Sequence, residues 1–287
     1  MPGDSKTENF DLSSTADGIS SSPEQFEINS KRTLTYLSSP AEVSMANWWF
    51  EIATIDHFWI KRRFEVLRRL AGSLIPGAGE IAEIGCGHGL LQRQIEEAYG
   101  REVTGFDLNE FALKQSLARR SNIFCYDIHQ QVPSLRQRFD LVFLFDVLEH
   151  MADEDHFLRA VMFHLAPGGR LVLNVPAGKW AYSAYDEAAG HVRRYSIRSL
   201  EETAGRNRLQ IANSSYWGLP LAPTLLLRKL WLLGKGDRDR DKIISEGFSP
   251  RTKVLNRLLS LVSTCEPIPQ RFLGTSIMAV LEVDGVR

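Results

Sequence analysis

The stretch Glu-Ile-Gly-Cys-Gly-His-Gly, residues 83–89, decides the fold. It continues a short apolar run that begins at Ile81 and leads into an amphipathic stretch that predicts a helix over residues 90–99. A glycine-rich turn between a strand and a helix brings bare backbone and helix N-terminal N–H groups close to a ligand. The third glycine follows the second by two residues, and no Lys-Ser or Lys-Thr pair follows, so the turn differs from the dinucleotide fingerprint and from a phosphate-binding loop.

Short apolar runs and amphipathic stretches alternate over residues 80–175, a pattern typical of a parallel sheet with helices on both faces. We predict strands at residues 81–84, 102–106, 122–126, 141–145 and 170–174, separated by helices at residues 90–99, 110–119 and 154–165. The Pro-Gly-Gly at residues 167–169 should end the last of these helices. Ser196 should cap a further helix over 197–204, and two β-like runs, 209–216 and 276–283, are expected to complete the sheet.

Acidic residues end two of the predicted strands. Asp107 lies 22 residues after Gly85, where a carboxylate can accept hydrogen bonds from both hydroxyls of a ribose. Asp127 ends the following strand, at the edge of the sheet where a carboxylate can accept a hydrogen bond from an adenine amino group. The spacing therefore favours an adenosine-type ligand.

Five motifs occur in order along the chain, and together they resemble the class I S-adenosylmethionine-dependent methyltransferase family. They are residues 83–89, Gly105-Phe106-Asp107, Asp127, Asp146-Val147-Leu148-Glu149-His150 and Leu165-Ala166-Pro167-Gly168-Gly169. The resemblance implies a doubly wound, mostly parallel seven-stranded α/β sheet of the Rossmann-like methyltransferase type, with helices on both faces and an antiparallel hairpin at one edge. It also implies an enzyme that uses S-adenosylmethionine and releases S-adenosylhomocysteine.

The resemblance assigns cofactor contacts within these motifs. Asp107 would take the ribose hydroxyls, Asp127 would frame the adenine, and Asp146 would lie beside the sulfonium. Glu83 stands where the family usually has Asp, and its longer carboxylate should still face the ammonium group of the methionine tail. The predicted cofactor-binding residues are Glu83, Gly85, Cys86, Gly87, Gly89, Asp107, Leu108, Asp127, Ile128 and Asp146.

Two histidines are candidate catalytic residues, because residues after the fourth and fifth strands face the crevice at the carboxyl ends of the strands. In methyl transfer the protein mainly aligns the nucleophile and removes its proton. An imidazole can take up a proton near neutral pH. His191 is the first candidate base and His150 the competing one, and structural hydrogen bonding is the alternative for each.

The segment 182–195 contains Asp-x-x-x-Gly-His-x-Arg-Arg-Tyr from Asp186 onward, which resembles a subgroup of these methyltransferases. Arg193 and Arg194 have the side-chain geometry to bind a carboxylate or phosphate of the acceptor bidentately, and salt bridges are the alternative. The candidate acceptor-binding residues are Trp48, Trp49, Tyr185, Arg193, Arg194 and Tyr195.

The remaining segments suggest the domain organisation. Residues 1–30 are polar and predict a disordered tail. Residues 31–75 predict an aromatic helical segment that lies over the site as a lid, with core packing as the alternative. Residues 76–287 would form the methyltransferase domain with a helical insertion at 218–272. The apolar stretch 219–234 is too short and too broken to cross a membrane. With Arg228 and Lys229 within it, a substrate wall, a dimer surface and contact with a membrane surface are the alternatives.

The composition narrows the choice of partners. The net charge of -1 over 287 residues disfavours nucleic acid. Three cysteines without metal-ligand spacing, and an N-terminus without an apolar signal run, indicate a cytoplasmic protein with no bound metal.

We therefore expect a monomeric or homodimeric enzyme that methylates an oxygen or nitrogen of a small-molecule, sugar or lipid-linked acceptor. A nicotinamide-dependent oxidoreductase and a non-catalytic, cofactor-binding regulatory subunit are the alternatives.

Overall fold

The computed structural model describes residues 25–29, 32–43, 50, 53–233, 243 and 252–283. The strands in this part of the chain are β1 (Gln25–Asn29), β2 (Arg32–Tyr36), β3 (Ile81–Ile84), β4 (Thr104–Asp107), β5 (Ile123–Cys125), β6 (Phe139–Phe145), β7 (Leu165–Pro176), β8 (Leu209–Trp217) and β9 (Ser276–Val283). The α-helices are α1 (Phe58–Ala71), α2 (Leu90–Tyr99), α3 (Glu110–Lys114), α4 (Glu154–His164), α5 (Ala184–Ala189), α6 (Ile197–Arg206), α7 (Ala222–Leu233) and α8 (Lys253–Ser263).

The described strands form a single sheet in the order β1-β2-β5-β4-β3-β6-β7-β9-β8. From β2 to β7 every neighbouring pair is parallel, whereas β9 lies antiparallel between β7 and β8. The seven strands β3 to β9 confirm the predicted doubly wound sheet with its antiparallel edge hairpin. The carboxyl ends of the parallel strands consequently meet along one edge of the sheet.

Side chains on alternate positions of the central strands pack into two apolar layers. Val142 and Leu144 of β6 belong to the layer that α4 and α6 cover, whereas Leu141 and Phe143 belong to the layer that α1 and α2 cover. A strand buried on both faces needs a nearly continuous apolar sequence, and β6 has one. The predicted cap of α6 is confirmed, because the Ser196 side chain accepts a hydrogen bond from the Ser199 N–H.

The sheet has two strands that the sequence analysis did not predict. β1 lies within the residues predicted to be a disordered tail, and β2 lies at the start of the segment predicted to be helical. Leu34 of β2 is fully buried and pairs with Ile123 of β5. The prediction was wrong for β2 because its five residues include a single large aliphatic side chain, Leu34, which gives little strand signal. In addition, β2 pairs with β5, and sequence patterning does not reveal that pairing.

The helix predicted over residues 110–119 is also shorter than expected, since α3 ends at Lys114. The carboxylate of Glu96 accepts hydrogen bonds from the backbone N–H groups of Arg119, Arg120 and Ser121. These N–H groups are therefore committed to a side chain of α2 instead of to a continuing helix.

The insertion at 218–272 contributes α7 and α8, and α8 packs against α1. The Phe58 N–H donates to the Asn256 side chain at 2.9 Å. A buried salt bridge joins Arg62 of α1 to Glu266 at 3.1 Å, with each side chain 1% exposed. Glu266 also accepts hydrogen bonds from the backbone N–H groups of Gly218 and Leu219, so one carboxylate ties both ends of the insertion to α1. None of the described helices is both long and apolar enough to cross a membrane.

Candidate active site

A cavity of about 1090 Å³ lies at the carboxyl ends of the parallel strands, where the residues that follow β3, β4, β5 and β6 line it. This volume exceeds the range of about 300–1,000 Å³ that is usual for a single small ligand. The cavity continues past the sheet edge to α1 and to the insertion helices α7 and α8. It therefore offers space for two ligands side by side.

The glycine-rich turn forms the floor of the cavity beside β3. Gly85 has φ +75°, and a Cβ atom there would overlap the Val147 side chain, so both the backbone and the space require glycine. Gly89, in the left-handed region, begins α2. The Gly87 N–H donates to Asp107 Oδ2 at 2.7 Å. The turn thus presents bare backbone and fixes the carboxylate of the next strand.

Two further strand-end carboxylates line the cavity. Asp107 also accepts from the Asn109 N–H at 2.8 Å, and burial raises the pKa of its carboxyl group. Asp127 accepts from the His129 N–H at 3.0 Å, and its own N–H donates to Ser38 Oγ at 2.7 Å. Asp127 therefore caps a short 3-10 helix while lining the cavity, and the residues after β2 hold it in place.

The buried carboxyl group of Glu83 indicates whether S-adenosylmethionine fits the cavity. Its side chain is 3% exposed and lines the cavity, and among the described residues its Oε2 has no hydrogen-bond partner. Burial raises the pKa of its carboxyl group to about 8, partly offset by the charge of Arg63. A buried, unpartnered carboxylate oxygen calls for a cationic donor. The ammonium of a methionine tail is such a donor, so the residues present fit S-adenosylmethionine.

Asp146, at the end of β6, is held by two donors. Arg63 Nη1 lies 2.5 Å from its Oδ2, and Asn174 Nδ2 donates to its Oδ1 at 2.7 Å. Burial raises the pKa of Asp146, and the Arg63 charge opposes that rise. Arg63 also lies over the Trp59 and Phe145 rings. Arg63 and Asn174 are site residues that were not predicted from the sequence. The signal for Arg63 was its place in a run of cationic residues among aromatic ones.

The two candidate bases lie next to each other. The ring centroids of His150 and His191 are 4.9 Å apart. His191 Nδ1 donates to Asp186 Oδ1 at 3.0 Å, and its Nε2 lies 4.0 Å from Glu149 Oε1. His150 Nδ1 contacts the Gly190 carbonyl oxygen at 3.1 Å. Glu149, which the sequence analysis did not list as a site residue, is thus a third member of this cluster.

The predicted acceptor-binding residues separate into three groups. Tyr185 and Arg194 line the cavity, and Arg194 donates to Asp186 Oδ1 at 2.7 Å. Arg193 and Tyr195 do not line it: Arg193 pairs with Glu154 at 2.6 Å, and the buried Tyr195 hydroxyl donates to the same carboxylate at 2.7 Å. Arg193 and Arg194 thus both form salt bridges, the first with Glu154 and the second with Asp186. Trp48 and Trp49 lie outside the described residues.

Of the cofactor-binding residues predicted from sequence, all but one line the cavity. The exception is Gly89, which lies at the start of α2. The insertion adds a cationic residue to the cavity wall: the Arg228 guanidinium lies 3.6 Å from the centre of the Tyr185 ring. Arg228 lies on α7 and lines the cavity, so the insertion brings a positive charge to the cavity wall.

Residues 53–212, more than half of the chain, match the family model described as a methyltransferase domain. The chloroplastic tocopherol O-methyltransferase of Arabidopsis thaliana is 30% identical over 122 residues, which are 38% of this chain and 35% of that protein. The 27-O-demethylrifamycin SV methyltransferase of Amycolatopsis mediterranei is 33% identical, over 44% of this chain and 48% of that protein.

A ubiquinone biosynthesis O-methyltransferase of Bordetella avium is 29% identical, over 43% of this chain and 54% of that protein. The chain thus spans about a third to a half of the length of the curated relatives it matches.

Two solved structures resemble the whole fold. One belongs to the complex of the Haloferax volcanii Trm112 methyltransferase activator with a methyltransferase; it has a TM-score of 0.53 and 13% identity, and the match covers 84% of this chain and 95% of that one. The other is the [4+2]-cyclase SpnF, with a TM-score of 0.50, 14% identity and 86% coverage of both chains. These likenesses concern the fold alone. Because the methyltransferase-domain model covers more than half of the chain and the sheet has the predicted parallel strands with an antiparallel edge hairpin, the chain belongs to the class I methyltransferase family, whose cofactor is S-adenosylmethionine.

Proposed function

We propose that the protein transfers a methyl group from S-adenosylmethionine to a hydroxyl oxygen of a small apolar or lipid-linked acceptor. One observation carries this proposal: a single cavity joins the glycine-rich turn at residues 83–89, the histidine cluster and the apolar helices of the insertion. The similarity to O-methyltransferases supports oxygen as the acceptor atom.

Four charged side chains are placed to hold the cofactor. Glu83 would accept the ammonium of the methionine tail, and the Arg63 guanidinium would receive its carboxylate. Asp107 would accept from the ribose hydroxyls, and Asp127 from the adenine amino group. Bound S-adenosylmethionine supplies a methyl group on a positively charged sulfur, which gives the transfer its driving force.

We assign removal of the acceptor proton to the histidine cluster, which consists of Glu149, His150 and His191. The carboxylate of Asp186 accepts from His191 Nδ1, so the tautomer with a lone pair on Nε2 is favoured. That nitrogen points toward Glu149 within the cavity. His191 Nε2 can then take the proton that a hydroxyl loses when its oxygen is methylated.

The insertion helices favour an apolar acceptor. Leu221 and Leu259 line the cavity, and Leu227 and Leu255 line it while also being 67% and 40% exposed. An exposed apolar rim around a cavity mouth is typical of a site that receives an apolar ligand or a ligand held in a lipid surface. The names of two relatives include tocopherol and ubiquinone, which is compatible with an apolar acceptor.

Binding without methyl transfer is the competing function, because a [4+2]-cyclase has the same fold. Calorimetry with S-adenosylmethionine, S-adenosylhomocysteine and NAD, followed by transfer of labelled methyl groups to prenylated and unprenylated phenols, tests the proposal. We expect binding of both sulfur compounds, no binding of NAD and faster methylation of the prenylated phenols. Tight NAD binding, or cofactor binding with no transfer to any hydroxyl acceptor, would contradict the proposal.

A further inference from the structure

We infer that Glu149, His150 and His191 form a binding site for one divalent transition-metal ion of the Zn²⁺ type. The site stands on the arrangement of these side chains, and only its role in catalysis rests on the proposed function. From the sequence we expect no bound metal, because no cluster of metal-ligand residues is visible in it.

The three side chains converge on one point of the cavity wall. Each can offer one ligand atom, and these atoms all lie within 4.8 Å of one another. Glu149 and His150 are held together by the short 3-10 helix Leu148–His150 after β6. His191 lies in the loop after α5. This loop contacts Glu149 directly, because the Val192 N–H donates to the Glu149 carbonyl at 2.9 Å.

The outer nitrogens of both imidazoles have the partners that metal-binding histidines use. His191 Nδ1 donates to the Asp186 carboxylate, which Arg194 also holds. His150 Nδ1 contacts the Gly190 carbonyl, which can only accept, so this nitrogen carries the proton. In both rings the lone pair is therefore on Nε2, and such partners orient a ligating imidazole and raise its basicity.

The buried carboxyl group of Glu149 is a second, independent reason to expect a bound cation. Its side chain is 1% exposed, and within the described ranges its Oε2 accepts no hydrogen bond. Leaving a carboxylate buried without a partner is costly. The nearby guanidinium of Arg194 is engaged by Asp186 and by the Ala177 carbonyl. A cation between Glu149 and the two imidazoles would satisfy this oxygen.

Two imidazole nitrogens and one carboxylate oxygen select the class of ion. Mg²⁺ and Ca²⁺ prefer oxygen ligands, whereas Zn²⁺ and related divalent ions accept imidazole, and three protein ligands leave a position open for another molecule. All three residues line the cavity. A hydroxyl at the open position would have its pKa lowered by the charge of the ion, and His191 would then be a ligand instead of the proton acceptor.

The test measures metal binding by the full-length protein without acceptor. The chain is stripped with a chelator and titrated with Co²⁺, whose visible absorption reports its ligands, and then with Zn²⁺ in competition. We expect one Co²⁺ per chain, displaced by one Zn²⁺. His191→Ala and Glu149→Gln should each weaken binding by at least about 10-fold, the lower end of the effect expected even for groups that only support metal ligands. His156→Ala, which replaces an exposed histidine outside the cavity, should bind like the natural protein.

Affinity for S-adenosylhomocysteine, measured by calorimetry, shows that each variant is folded. Absence of stoichiometric Co²⁺ binding, or equal binding by His191→Ala, would overturn the metal site. Loss of methyl transfer with intact Co²⁺ binding would contradict the proposed function and leave the metal site in place.

Discussion

Arg63 Nη1 lies 2.5 Å from Asp146 Oδ2, and this contact joins a helix that precedes the main sheet domain to the end of its central strand. Both side chains line the cavity beside Glu83. The contact places one cation near three carboxyl groups, because Glu83 lies on β3 and Asp107 lies on the neighbouring strand β4. Helix α1 therefore belongs to the site.

Replacing Arg63 should impair cofactor binding. Arg63→Ala removes the proposed partner of the cofactor carboxylate and leaves Asn174 Nδ2 as a donor to Asp146. A hydrogen bond to a charged group contributes about 1.5–3 kcal/mol, so affinity for S-adenosylmethionine should fall roughly 10- to 100-fold. Calorimetry measures this. Arg69→Ala, which alters an exposed arginine of the same helix, is the control and should leave affinity unchanged.

The affinity for S-adenosylmethionine should depend on pH through Glu83. Burial raises the pKa of Glu83 to about 8, but an ammonium group binds its ionised form. Affinity should therefore rise with pH by up to about tenfold per unit and level off above about pH 8. Binding below that pH should release a proton, which calorimetry in two buffers of different ionisation enthalpy detects. Glu83→Gln should bind more weakly and lose this proton release; an unchanged pH profile in that variant would exclude Glu83 as the titrating group.

The raised pKa of Glu83 predicts that the stability of the protein falls as pH rises, whereas the affinity for the cofactor increases. Because the folded pKa lies above the ordinary value of 4.5, the folded protein keeps a proton that the unfolded chain loses. Glu83 should thus reduce the free energy of unfolding as pH rises from about 4.5 to about 8. Without cofactor, the Tm gain from Glu83→Gln should be larger at pH 8 than at pH 5. Melting curves of both proteins at the two pH values measure it.

Removing His191 should slow catalysis without weakening cofactor binding. Proton removal by a positioned group contributes about 10²- to 10⁴-fold, so His191→Ala should lower kcat by at least about 100-fold at saturating cofactor. His150→Ala should have a smaller effect, since His191 has the carboxylate partner. Full turnover in both variants would show that neither imidazole takes part in the reaction.

Two leucines of α7 test the acceptor wall. Leu227 and Leu230 are 67% and 65% exposed, but only Leu227 is among the cavity-lining residues. Leu227→Ser should raise the KM of a prenylated phenol by about 10-fold, whereas Leu230→Ser should leave it unchanged. Equal effects would point to a general property of the exposed helix surface instead of an acceptor contact.

The pair Arg62–Glu266 should stabilise the docking of the insertion. Glu266→Ala would leave the Arg62 guanidinium buried and the N–H groups of Gly218 and Leu219 without their acceptor. Removing one partner of a buried pair costs about 3–5 kcal/mol. Thermal unfolding should show a Tm lower by several degrees. Arg198→Ala, which breaks an exposed pair with Glu202, should change the Tm little.

Sequence patterning predicted the sheet well where apolar runs are continuous and glycine or proline marks their ends. The bounds of β3, β9 and α2 agree with the prediction residue for residue. It also predicted the order of the strand-end carboxylates, because Asp107, Asp127 and Asp146 each follow a recognisable strand.

The rest of the site depends on contacts between distant segments. Arg62 and Arg63 are neighbours in a cationic helix, yet one contacts Glu266 and the other Asp146, because successive side chains on a helix point in different directions. Glu149 and His191 meet only when two loops lie over the same strand ends. The sequence shows that such residues are present but does not show which of them contact each other in the fold.

Strand β2, which lies between β1 and β5 in the sheet, has a practical consequence for where the chain can be cut. A fragment beginning at residue 53, where the family match starts, would retain the glycine-rich turn and all three strand-end aspartates. It would lose Leu34 from the buried layer beside β5 and the Ser38 hydroxyl that receives the Asp127 N–H. The bare β5 edge would then be open to pairing with another chain. Expression boundaries for this protein should therefore be set upstream of Arg32, not at the limit of homology.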